Sequence, residues 1–225
     1  MLFTCDHQRH RHARAAVHGG GQTVSNGTNT LTVDIHCHRQ CYPAGEMMQA
    51  EARSAGFAAL SFGSALTKEV NRKQLEFIKP KMQSIENRLA DMDAMGVDIQ
   101  AVSVSPYQYY YWAEPEQGRD VCRLINDDMA EAIALHAERF VGLGTVPLQN
   151  TEMAIAELGR CIDELGFRGI EINSQVAGEE LSSKRLEPFW AKLEELDVLV
   201  FIHTAGYTHP DRLKEHYFLN LVGHP

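Results

Sequence analysis

Five short apolar runs recur along this chain, at residues 32–38, 99–105, 140–148, 167–173 and 198–204, with helical patterns between them. The spacing predicts helices over 83–95, 116–138, 152–165, 186–196 and 210–221. In the second of these, Val121, Leu124, Ile125, Met129, Ile133 and Leu135 fall near one stripe. Thr151 is placed to cap the third helix, and Gly96 and Gly166 to stop the first and the third. Strand and helix alternating at this rhythm means βαβ units on a parallel sheet. The run Val198-Leu199-Val200-Phe201-Ile202 has the continuous apolar character of a parallel strand buried on both faces.

Two folds accommodate five such units: an open doubly wound sheet, or the first five-eighths of a (β/α)8 barrel. A doubly wound nucleotide-binding domain carries a Gly-rich loop after its first strand. Here that place holds Cys37-His38-Arg39-Gln40-Cys41. Polar residues end the strands instead: His36 and His38 on the first, Ser103 and Ser105 on the second, Glu171 and Asn173 on the fourth, His203 on the fifth. Polar C-terminal strand ends are the barrel pattern. The expected fold is therefore α/β, of the (β/α)8 TIM-barrel type, with the N-terminal five βα units only.

The two histidines of the first strand stand at i and i+2, so they point to the same side. Neutral imidazole is a standard ligand for zinc and similar metals. His203 closes the most apolar strand of the same parallel set. Two imidazoles from one side of a barrel mouth and one from the other make three corners of a tetrahedral or five-coordinate site. His36, His38 and His203 are thus the candidate metal ligands.

The remaining features set limits. A net charge of −9 with no basic stripe argues against nucleic acid. No apolar run has the length needed to span a bilayer. Five cysteines without paired spacing fit reduced thiols in a cytoplasmic protein. Residues 1–30, rich in His, Arg, Gly and Thr, read as a disordered leader; 31–225 form the barrel domain, incomplete on this count, with an insertion at 39–82. Phe57, Leu60 and Phe62 suit a small lid over the catalytic face. Lys68, Arg72, Lys73, Lys79 and Lys81 suit either an anionic ligand or a solvated surface. Arg88 opens a helix and reads as a solvated charge. Tyr107, Tyr109, Tyr110, Tyr111 and Trp112 follow the second strand, as a pocket wall for a planar substrate or as ordinary packing. Glu171 and Asn173 are placed to orient ligands or substrate, or, for Glu171, to bridge strands inside the barrel.

Several longer segments carry a resemblance. They are Asp34-Ile35-His36-Cys37-His38, the stretch from Arg88 to Asp98, Tyr111-Trp112-Ala113-Glu114-Pro115 and Asn126-Asp127. They continue in the stretch from Arg139 to Leu148, in Glu164-Leu165-Gly166-Phe167-Arg168-Gly169 and in Val200-Phe201-Ile202-His203. In this order they resemble the amidohydrolase-related metal-dependent family, in the branch that includes aminocarboxymuconate-semialdehyde decarboxylase. The resemblance implies a distorted (β/α)8 barrel and a metal, Zn2+ with Mn2+ as the alternative, held by His36, His38 and His203. It places an aspartate ligand on an eighth strand and a proton-transfer histidine on a sixth, both beyond residue 225. The branch holds a substrate carboxylate with an arginine between the first and second strands. Arg39, Arg53, Arg72 and Arg88 lie in that interval, and Arg39, with Trp112 and Asn173, is taken as substrate-binding. The implied activity is non-oxidative decarboxylation of a small aromatic or muconate-like carboxylic acid by a homodimer. The alternatives are a metal-dependent hydrolase of a C–N, lactone or ester bond, and an inactive metal-binding fragment.

Overall fold

The computed structural model describes residues 31–50 and 64–204. The leader at 1–30, the Phe57, Leu60 and Phe62 lid and the helix expected at 210–221 lie outside the described residues. Within them the elements run β1 (Val33–Arg39), α1 (Tyr42–Met47), α2 (Ala65–Gln83), α3 (Ile85–Met95), β2 (Ile99–Val104), α4 (Pro115–Ala134), β3 (Phe140–Gly144), α5 (Thr151–Asp163) and β4 (Gly169–Asn173). A two-residue hairpin follows, β5 (Gln175–Val176) and β6 (Glu179–Glu180), and then α6 (Glu187–Leu196) and β7 (Leu199–His203).

The main sheet has the order β1-β2-β3-β4-β7, and every neighbouring pair in it is parallel. This is the five-unit barrel segment expected from the rhythm of apolar runs. Helices α4, α5 and α6 pack on its outside. On α4 the inward stripe is Val121, Cys122, Ile125, Met129 and Ile133. Leu135, assigned to that stripe from the sequence, is exposed, because the helix ends at Ala134. The α5 cap is also one residue earlier than expected. Asn150 Oδ1 accepts from the Met153 amide at 3.0 Å, whereas the Thr151 hydroxyl donates to the Arg185 carbonyl at 2.9 Å. Asn is as good a cap as Thr, and a hydroxyl with another partner is not available for the task.

Two features depart further from expectation. Among the described residues, the expected insertion carries helix α1 and the nineteen-residue helix α2, which runs on to Gln83. Helix α2 buries little, so it lacks the apolar stripe that reveals a helix in sequence. Its support is local. Ser64 caps it by accepting from the Thr67 amide, and Arg72 bridges Glu69 and Glu76 while Lys73 pairs with Glu69. Lys81 pairs with Asp91, and Lys79 sits over the Tyr42 ring. Within the basic run, Arg72, Lys73 and Lys81 are thus matched with acids. The second departure is β7, expected to be buried on both faces. Leu199 is 50% exposed and Ile202 52%. The strand lies at the edge of the described sheet, as β1 does at the other edge with Val33 and Ile35 exposed.

Local packing holds the strand ends in place. Asn126 on α4 is buried; its Nδ2 donates to the Thr145 carbonyl, its Oδ1 accepts from the Thr145 amide, and Nδ2 also reaches Glu157. This pins α4 to the C-terminal end of β3. Gly142 in β3 is required by close approach, since a Cβ there would lie 2.3 Å from the Phe167 ring. Among the described residues, no helix is long and apolar enough to cross a membrane.

Candidate metal centre

The two histidines of β1 face one another across a 3.1 Å gap between their Nε2 atoms. His203, at the C-terminal end of β7, completes a near-equilateral triangle. The ring centroids are 4.9 Å apart for His36 and His38, 5.0 Å for His36 and His203, and 5.1 Å for His38 and His203. One ring nitrogen from each lies within 4.8 Å of the others. Zinc–nitrogen bonds of about 2.05 Å at tetrahedral angles separate two ligand atoms by about 3.3 Å. The His36–His38 gap is already at that spacing, and three neutral nitrogens in a ring are a donor set suited to a borderline divalent ion.

The curl of the sheet creates this triangle. β1 and β7 are not neighbours in it, yet the His36 ring also lies 5.2 Å from Phe201. The β1–β2 register slips between Asp34 and Cys37, so a bulge falls at Ile35 and His36. The bulge is held by side chains. Asp34 Oδ1 accepts from the His36 amide at 3.1 Å, and Gln100 Nε2 donates to Asp34 Oδ2 at 3.1 Å. Arg88 then donates to Gln100 Oε1 at 3.0 Å and to the His38 carbonyl at 2.6 Å. Arg88 is therefore no solvated charge; it is 8% exposed. It shares a helical stripe with Ile85, Leu89 and Met92, and that spacing was the available signal.

Inward of the triangle lies a group of buried polar side chains. His38 Nδ1 is 3.0 Å from Ser103 Oγ and 3.1 Å from the Val104 carbonyl. Ser103 donates to Glu171 Oε2 at 2.7 Å, and Tyr109 donates to Glu171 Oε1 at 2.5 Å. Glu171 is wholly buried, and burial pushes its carboxyl up to about 7 against the pull of its two hydroxyl donors. Burial likewise drives the His38 imidazole down to about 3, helped by the neighbouring His203 and His36. A His38 that stays neutral at physiological pH is in the form a metal needs. Glu171 thus bridges β4 to β2, as one sequence reading had it, and Ser103 and Tyr109 are the partners that sequence reasoning did not connect to it.

The other expected site residues are spread around this core. Asn173 stands opposite His203 in the β4–β7 register, and its Oδ1 accepts from the Ser174 amide. Trp112 is half-buried in the loop after β2 and meets the Tyr110 ring edge-on at 5.8 Å. Tyr109 and Tyr111 stack at 5.4 Å. Tyr110 is buried with φ 51°, an uncommon conformation for a bulky residue. Arg39 is engaged elsewhere: it pairs with Asp128 at 3.0 Å and donates to the Gln83 carbonyl at 2.7 Å.

Comparison with known proteins gives a consistent picture. The family described as Amidohydrolase matches residues 33–223. A 2-amino-3-carboxymuconate-6-semialdehyde decarboxylase from Dictyostelium discoideum is 39% identical over 138 residues, which is 61% of this chain and 38% of that protein. A 2,6-dihydroxybenzoate decarboxylase solved with 2,6-dihydroxybenzoate superposes with a TM-score of 0.64 at 25% identity, over 84% of this chain and 56% of that one. A 5-carboxyvanillate decarboxylase from Novosphingobium aromaticivorans, solved with manganese and 4-hydroxy-3-methoxy-5-nitrobenzoic acid, gives 0.65 at 25% identity, over 78% and 50%. The chain thus spans between about one-third and three-fifths of the length of the curated relatives and solved structures that it matches.

Proposed function

Because the chain belongs to the amidohydrolase family, we propose that its three-histidine mouth holds the metal of a non-oxidative carboxy-lyase acting on a small aromatic or muconate-like carboxylic acid. The single observation that carries this reading is the imidazole triangle of His36, His38 and His203, with sides of 4.9–5.1 Å between ring centroids. Imidazole donors favour Zn2+ as the ion. Manganese in the 5-carboxyvanillate enzyme keeps Mn2+ as the alternative.

A bound divalent ion supplies Lewis acidity that fixes a substrate carboxylate and an adjacent oxygen. The chain's own residues do the rest of what this face requires. His36, His38 and His203 supply neutral nitrogens. Trp112, in the aromatic loop after β2, stands at the face where a planar substrate would lie, and Asn173, beside His203 in the sheet, offers an amide to it. Arg39 remains a candidate for the substrate carboxylate only if its pairing with Asp128 opens. In the overall reaction the bond to the carboxylate carbon breaks, carbon dioxide leaves, and a proton takes its place. The same reading makes the protein a cytoplasmic homodimer; four buried free thiols, Cys37, Cys41, Cys122 and Cys161, accord with a reducing compartment.

The test is an assay of the natural gene product, loaded with Zn2+ or Mn2+, against 2,6-dihydroxybenzoate, 5-carboxyvanillate and 2-amino-3-carboxymuconate-6-semialdehyde. Metal-dependent release of carbon dioxide, lost in His36→Ala and His203→Ala, is expected. Hydrolysis of amides or lactones without carbon dioxide release would favour the hydrolase, and failure to retain any divalent ion would remove the reading altogether.

A further inference from the structure

We propose that Glu171, acting through Ser103, is a positioning residue that reinforces the Val104 carbonyl in keeping the hydrogen on His38 Nδ1 and so leaves Nε2 bare for the ion. The inference rests on the reading above that His38 is a metal ligand. Ser103 has a single hydroxyl proton, and two acceptors compete for it: Glu171 Oε2 at 2.7 Å and the Cys37 carbonyl at 3.3 Å. The carboxylate oxygen is much the closer of the two, and in the ionised form it is also the stronger acceptor, so it takes the proton. Ser103 Oγ then presents only lone pairs to His38 Nδ1 at 3.0 Å. The Val104 carbonyl, 3.1 Å from the same nitrogen, is an acceptor under all conditions. Both neighbours require Nδ1 to carry the hydrogen. The bare pair is left on Nε2, the atom that faces His36 Nε2 in the triangle.

The rest of the arrangement serves this setting. Tyr109 occupies the other carboxylate oxygen with its own hydroxyl, which keeps Glu171 turned toward Ser103. Glu171 Oε1 is 3.8 Å from His38 Nδ1, so in its ionised form the carboxylate also favours a polarised Nδ1–H edge and a more basic Nε2. All three side chains are nearly inaccessible to water: Ser103 is 1% exposed, Tyr109 3% and Glu171 0%. Burying a carboxylate is costly unless its hydrogen bonds matter, and a glutamine of the same shape would bridge the strands more cheaply. A glutamine, however, would offer an N–H to one of its two partners. It would thereby allow Ser103 to turn its proton onto Nδ1 in competition with the Val104 carbonyl, which populates the tautomer with hydrogen on Nε2.

Two measurements on the 225-residue chain test this. Long-range proton–nitrogen NMR of the imidazoles reads the His38 tautomer in the metal-free protein, and competition with a chelating indicator reads Zn2+ affinity. In the wild type His38 carries its hydrogen on Nδ1. Glu171→Gln introduces an Nε2–H population and weakens Zn2+ binding by about 10–100-fold. Ser103→Ala gives a similar loss and Ser103→Thr restores binding, which a merely space-filling role would not predict. A wild-type His38 protonated on Nε2 overturns the inference. So does a Glu171→Gln protein that keeps the wild-type tautomer and binds Zn2+ within twofold of it. Should Glu171→Gln not fold, Ser103→Ala decides by the same criteria. Failure of the wild type to bind Zn2+ speaks against the metal-site reading, while the tautomer spectrum still judges the role of Glu171.

Discussion

Replacing Arg88 by Met separates two accounts of the same residue. If Arg88 were a solvated helix charge, the exchange would change stability by no more than about 0.5 kcal/mol. The structure instead gives its guanidinium a 2.6 Å bond to the His38 carbonyl and a 3.0 Å bond to Gln100 Oε1. Methionine fills most of the volume and leaves both acceptors unsatisfied, at about 1–3 kcal/mol each. Relief from burying a cation offsets part of this. A net loss of about 2–4 kcal/mol is expected. For a chain of 225 residues that corresponds to a fall in Tm of roughly 5–12 °C. Urea unfolding of the metal-free protein followed by Trp112 and Trp190 fluorescence measures the difference, and calorimetry measures the shift in Tm. The same exchange loosens Gln100, which holds Asp34, which holds the His36 amide, so Zn2+ affinity should fall in parallel. A stability change below about 1 kcal/mol, with Zn2+ affinity unaltered, would refute the claim that Arg88 secures the ligand strand.

Other outcomes follow from the same geometry. Zn2+ at a hundred times its Kd should stabilise the folded chain by about 2.7 kcal/mol, a gain removed by a chelator and absent in His203→Ala; thermal melts with and without the ion check both. The pH profile of the metal-free protein has two opposed contributions. His38 titrates near 3 rather than its ordinary value of 6.5, so the folded chain binds fewer protons than the unfolded one and its stability declines as pH falls below 6.5. Glu171 titrates near 7 rather than 4.5, so the folded chain binds more protons and stability declines as pH rises from 4.5 to 7. Glu171→Gln removes the second contribution, and its stability relative to wild type should climb by up to about 1.4 kcal/mol per pH unit across that window in chemical denaturation series; a constant difference would contradict the burial of an ionisable carboxyl. Burial pushes the Cys37 thiol up to about 12 and raises those of Cys41, Cys122 and Cys161. Iodoacetamide should therefore spare all four in the native protein and label them in urea, as peptide mass spectrometry would show.

Much of the architecture was legible in the residues themselves. Five apolar runs with helical intervals specify parallel strands, and each of the five formed within a few residues of its expected place. The i, i+2 spacing of His36 and His38 is enough to aim two imidazoles one way, and polar strand ends locate the working face. The errors lie where local pattern is silent. Helix α2 is held by Glu69, Arg72, Lys73 and Glu76 rather than by an apolar stripe, so hydrophobic periodicity could not reveal it. Arg88 was misjudged because charge was weighed above its place in the stripe.

The sequence by itself determined which chemistry was on offer: imidazole nitrogens, the carboxyl of Glu171 and a cluster of aromatic rings at the ends of parallel strands. Only the tertiary structure decided that His203, 165 residues after His38, stands as near to it as His36 does. It also decided that Glu171, Ser103 and Tyr109 lie hydrogen-bonded together, buried behind them. The reason is that spacing along a chain fixes direction within one strand, whereas distance between strands depends on sheet curl and register, which are set by packing across the whole core.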